Sequence, residues 1–111
     1  MELTRHNHGP VEVIELPARL VMANAPDTRR AILDLIEQGR NRLIFDLNQV
    51  DFIDSSGLSV LVSALKAANN DAGEVLLLSP SDGVRSLIEL TRLHQIFEIY
   101  EDRNAAIQRL S

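Results

Sequence analysis

The run from Leu43 to Leu65 constrains the fold more than any other part of the chain. Leu43-Ile44-Phe45-Asp46-Leu47 is a short, mostly apolar segment; Phe52-Ile53 follows a polar turn, and Asp54-Ser55-Ser56 leads into Gly57-Leu58-Ser59-Val60-Leu61. A short apolar run bounded by turn residues suits a buried central strand of a sheet covered by helices. Leu58, Leu61, Val62 and Leu65 recur at three- and four-residue spacing, so residues 57–68 are predicted to form a helix that lays this face on the sheet. The turn between them offers the hydroxyls of Ser55 and Ser56 at a helix N-terminus, close to unpaired backbone N–H groups and the positive end of the helix dipole. A phosphate added there would be accommodated, so the turn reads as a phospho-switch.

The rest of the chain repeats the alternation. Residues 11–16 read as a strand behind a Gly9-Pro10 turn, with residues 3–6 as its hairpin partner. Asn24 is placed to cap a helix with Pro26 in its first turn and Ala31, Ile32, Leu35 and Ile36 as its apolar stripe, ending at Gly39. Residues 74–78 form a further strand. Ser81 or Asp82 caps a helix running to about Leu93, residues 96–99 form a last short strand, and residues 101–110 close as a helix. Strands alternating with helices predict parallel pairing. The fold class is therefore α/β: one small domain over residues 1–111, with a mostly parallel central sheet, an N-terminal hairpin and about four helices.

Composition narrows the chemistry. With 111 residues, 45% of them apolar, the chain has material for one core. The formal charge of −5 argues against a general nucleic-acid binder, which carries a basic stripe. The chain has no cysteine, which excludes disulfides, thiolate metal sites and cysteine nucleophiles. Met1-Glu2-Leu3-Thr4-Arg5-His6 lacks the apolar core of an export signal, and no apolar run approaches the ~20 residues of a membrane span. Cytoplasmic localisation and no membrane insertion are the expectations.

Asp54-Ser55-Ser56-Gly57-Leu58, preceded by Phe52-Ile53 and followed by an apolar helix, resembles the signature of STAS-domain proteins, specifically the bacterial anti-sigma-factor antagonists. The resemblance extends to Gly73-Glu74-Val75-Leu76-Leu77-Leu78 and to residues 87–99. It implies a protein-binding regulator of transcription that works by partner switching. The unphosphorylated form would sequester an anti-sigma serine kinase, or a related response regulator with kinase and phosphatase modules. A kinase would phosphorylate the first serine after the motif aspartate, here Ser55, with Ser56 as the adjacent alternative; a PP2C-type phosphatase would reset it. The chain would be a substrate rather than an enzyme, and ATP and magnesium would belong to the kinase. Asp54, Ser56, Gly57 and Leu58 would form the partner-binding loop around the phospho-site. The chain departs from the family where a Gly-x-aliphatic-Asp run follows the second strand: Ala18-Arg19-Leu20-Val21 has neither the glycine nor the aspartate. Ser59 stands where many relatives have glycine.

Plainer readings of the same residues remain beside these. Ser and Asp before a helix are common simply as N-caps, and Asp54 is read equally as a cap and as a residue that holds the serine or meets the kinase. Gly57 either permits close approach by a partner or phosphate, or is merely tolerated in a first turn. Leu87, Ile88, Leu90 and Leu93 form either a partner-binding stripe or core. His6, His8 and His94 make no cluster with metal-ligand spacing, and no cofactor motif is present. Within the fold, the rival is a STAS subunit docked on a transporter ATPase. A remote rival is a small serine hydrolase using Ser55, although no Gly-x-Ser-x-Gly elbow surrounds it.

Overall fold

The computed structural model describes residues 3–111; Met1 and Glu2, part of the segment read as lacking an export signal, lie outside the described residues. Gly9 takes a left-handed conformation with φ of 63°. The tight turn this permits joins β1 (Thr4–His8) to β2 (Val11–Glu15) as the expected antiparallel hairpin. Sheet order is β1, β2, β4 (Arg42–Asp46), β6 (Glu74–Leu78), β7 (Glu98–Tyr100), and every pairing beyond the hairpin is parallel. Beside this five-stranded sheet lies a separate two-residue parallel ladder, β3 (Arg19–Leu20) with β5 (Phe52–Ile53).

Strand periodicity sorts the core into two layers. Leu43, Phe45, Leu47, Val75 and Leu77 face one side, which is covered by α1 (Ala25–Glu37), α2 (Ser55–Asn70) and α3 (Asp82–Leu90). Val11, Val13, Ile44, Leu76 and Leu78 face the other, which is covered by Ala106 and Leu110 of α4 (Arg103–Leu110). The residues of β4 from Leu43 onward are all buried, as a central strand with both faces covered requires. Polar contacts lock α4 in place. Arg103 donates to the buried Asp46 carboxylate at 2.6 Å, and Arg42 Nη1 donates to the Leu110 carbonyl at 2.6 Å. The architecture is a small α/β domain with four helices and a mixed sheet, as the patterning predicts.

Several element ends differ from the expectations. Helix α2 starts at Ser55 rather than Gly57, because Asp54 is its N-cap and takes both serines into the first turn. Its buried face is Gly57, Val60, Leu61, Ala64 and Ala68, whereas Leu58 and Leu65 only flank the core and Val62 is half-buried. The face is rotated toward small residues because α2 packs against α1 as well as the sheet, and small side chains let the helices approach. Asn24 stands at the N-cap position of α1 without capping it. Its amide instead accepts from the Val21 N–H at 2.9 Å and donates to the Arg19 carbonyl at 2.7 Å, tying down the loop before the helix.

Ser81, not Asp82, caps α3, its hydroxyl accepting from the Val84 N–H. That helix stops at Leu90, short of Leu93, and Arg92 then turns left-handed with φ of 61° into a 3₁₀ turn at Leu93–Gln95. The last strand accordingly begins at Glu98 rather than Ile96, with Phe97 buried between. Asp102 caps α4, which therefore starts two residues later than predicted. Of the stripe in α3, Ile88 is core and Leu87 and Leu93 pack against it, while Leu90 is exposed.

Candidate functional site

The site is built where two loops leave neighbouring strands. β3 follows the C-terminal end of β2 and β5 follows that of β4, so their ladder places the two loops side by side at one end of the sheet. The Asp51 N–H donates to the Ala18 carbonyl at 2.7 Å, and the Asp54 N–H donates to the Leu20 carbonyl at 3.3 Å. The segment of residues 18–21, which lacks the family's glycine and aspartate, is thus the immediate neighbour of the serine turn.

Asp54 clamps the two loops together. One carboxylate oxygen accepts from the Gly57 N–H at 2.9 Å, which caps α2; the other accepts from the Met22 N–H at 2.9 Å across the loop pair. These bonds, that to Gly57 foremost, hold the Asp54 carboxyl below the usual carboxylate range. Both oxygens are engaged by backbone N–H groups, so Asp54 is poorly disposed to act as a base toward Ser55. The structure thus shows Asp54 as the cap of α2 and a clamp on the Met22 loop.

A carboxyl whose pKa is lowered by folding contributes stability above its unfolded pKa of about 3.9 and loses it as pH falls through the folded value. Asp54→Asn keeps an acceptor at the cap but no charge. Thermal melts should place this variant below wild type near pH 7, with the gap narrowing as pH falls below the unfolded carboxyl pKa of about 3.9. An equal gap throughout would refute the charge-assisted clamp.

Gly57 is required by packing. A Cβ at this position would lie 2.3 Å from the Leu20 carbonyl oxygen and 2.7 Å from Ile53 Cγ2. The close approach anticipated for a partner or phosphate is therefore made by the chain's own β3 loop. Leu58 is half-buried and packs against the core, so its apolar side is largely spent on the fold.

The two serines separate by exposure. Ser55 is exposed, whereas Ser56 is half-buried. Together with Ser59, exposed one turn further along α2, they form one wall of a groove of about 340 Å³. Pro26 and Arg29 of α1 line it from the other side, and Met22 lines it as well. Exposed apolar surface flanks the loop pair. Met22 is 74% exposed and Phe52 47%, with the Arg19 guanidinium 5.0 Å from the Phe52 ring centroid. Sequence reasoning did not single out Met22 or Arg29. Pro26 marked the start of α1, but nothing local indicated that this start faces that of α2.

A family model for the STAS domain matches residues 3–106. The chain belongs to the STAS family. A protein of Thermotoga maritima classed among the anti-sigma factor antagonists is 31% identical over 100 residues, covering 88% of each chain. A crystal structure of a Thermotoga maritima protein classed in the same way superposes with a TM-score of 0.91 at 27% identity, covering 97% of this chain and 93% of that one. The Bacillus cell fate determinant SpoIIAA, in its phosphorylated form, superposes with a TM-score of 0.79 at 23% identity over 99% of this chain and 100% of its own. That last likeness shows the fold alone. Among the described residues no helix of this STAS protein is long and apolar enough to cross a membrane.

Proposed function

We propose that this STAS protein is an anti-sigma-factor antagonist switched by phosphorylation of Ser55. The observation that carries the proposal is the setting of that side chain: an exposed hydroxyl in the first turn of α2, on a loop pair clamped by Asp54 and flanked by exposed Met22 and Phe52. An exposed apolar rim is surface for a protein partner. The family membership and the relatives among anti-sigma factor antagonists support an anti-sigma serine kinase, or a related regulator with kinase and phosphatase modules, in that role. The same kinase phosphorylates Ser55, a PP2C-type phosphatase removes the group, and the 1–111 chain acts as one STAS domain.

The physics of the switch follows from where the charge is added. Phosphate brings about −1.5 to −2 charges at neutral pH. At a helix N-terminus a negative charge is favourable by about 0.3–1 kcal/mol, so the fold tolerates it. In a docked interface the same dianion would be buried, and burying it unpaired is unfavourable. Phosphorylation thus turns binding off and leaves the fold intact.

Phosphopeptide mapping after incubation with the kinase tests the assignment. Label is expected in Ser56→Ala and absent in Ser55→Ala. The reverse pattern would move the site to Ser56. Phosphoprotein that binds the kinase as tightly as unmodified protein would make the serine turn a fixed docking surface instead.

A further inference from the structure

The groove beside Ser55 contains a cation that the phosphorylation reading leaves without a task. Among the described residues, Arg29 is the only ionisable one lining the groove, which is otherwise formed by serines and apolar side chains. It is exposed and makes no ion pair or side-chain hydrogen bond among the described residues. Its neighbour Arg30 lies 3.7 Å from Asp34 one turn along α1. The carboxylate of Asp54 is held by the Gly57 and Met22 N–H groups, which leaves Arg29 without competition from that side.

We infer that Arg29 is the internal receptor for a phosphoryl group on Ser55, pairing with it across the groove between α1 and α2, with the Ser59 hydroxyl as a second donor. The inference rests on Ser55 as the modified residue. Three features support it. Ser55 and Ser59 are four residues apart and therefore neighbours on one helix face, the face that looks across at Arg29. A guanidinium matches the planar, multidentate geometry of phosphate oxygens better than an ammonium does. Without such a cation the dianion would add its charge to a loop that already holds the carboxylates of Asp51 and Asp54, with only the helix terminus to offset their repulsion. Ser59, the departure from the family's glycine, thereby acquires a role particular to this chain. The pairing would hold the phosphate in the groove and draw the starts of α1 and α2 together. A partner that docks there would then meet an occupied groove.

The test uses full-length protein carrying genetically encoded phosphoserine at position 55, so that it does not depend on finding the kinase. Phosphorus NMR follows the second ionisation of the phosphate in wild type, Arg29→Gln, Arg29→Lys and Arg30→Gln. A nearby guanidinium favours the dianion, so its loss should raise that pKa by about half a pH unit, the size of an exposed ion pair. Arg29→Lys should recover part of the shift, Arg30→Gln should match wild type, and high salt should erase the differences. Circular dichroism checks that each variant is folded, and each substitution is at an exposed position. Identical titrations for wild type and Arg29→Gln at low salt would overturn the inference while leaving Ser55 phosphorylation untouched. Failure of Ser55 as a kinase substrate is read separately, by the phosphopeptide map.

Discussion

Leu61→Ala should lower the unfolding free energy by about 2–5 kcal/mol, the range for a large-to-small change in a packed core. Leu61 is completely buried on the face of α2 that meets the sheet, in the same cluster as Phe45, Leu47 and Leu77. Its removal takes away the transfer free energy of the lost atoms and leaves a cavity that the surrounding core can fill only in part. Small domains are stable by only about 5–15 kcal/mol, so the loss is a substantial share of the whole. Urea denaturation at equilibrium measures it. A change below about 1 kcal/mol would mean that the site collapses freely and that α2 is not packed as described. Val62→Ala, at a half-buried position of the same helix, should cost clearly less.

Gly57→Ala should cost about 1–3 kcal/mol, as overpacking does, although alanine is ordinarily the better helix former. The added carbon would lie 2.3 Å from the Leu20 carbonyl oxygen, and backbone cannot swing aside as a side-chain end can. The Leu20 carbonyl also accepts from the Asp54 N–H, so displacing it disturbs the Asp54–Met22 clamp beneath Ser55. Loss of stability should therefore be accompanied by faster amide exchange at Met22. The control is Gly83→Ala in α3, where a Cβ meets nothing within 4 Å. There the substitution should stabilise by about 0.4–1 kcal/mol, chiefly by restricting the unfolded chain. Equal effects at the two glycines would remove the case for close approach at Gly57.

The comparison of these glycines shows where sequence reading stops. Both sit in the first turns of helices behind a capping residue, Asp54 and Ser81, and the local pattern treats them alike. Only the position of the β3 loop distinguishes them, and that loop is thirty-odd residues away in the chain from Gly57. The two-residue ladder of β3 and β5 was illegible for a related reason. Runs this short have no period to detect, and their pairing depends on β2 and β4 delivering them side by side.

What the sequence determined by itself was the existence and order of the elements, which local periodicity carries. The apolar run at 43–47 dictated a buried strand, the alternation of strands and helices dictated parallel pairing, and Asp54-Ser55-Ser56 marked a turn that places hydroxyls at the start of a helix. These depend on side-chain period and on backbone groups within a few residues, which a chain specifies before it folds. The tertiary structure decided which side of α2 is buried, which of the two serines is exposed, that Asp54 reaches the Met22 N–H, and that Arg29 shares a groove with Ser55. Each of these joins residues from separate elements, and such distances are set only when the helices pack on the sheet.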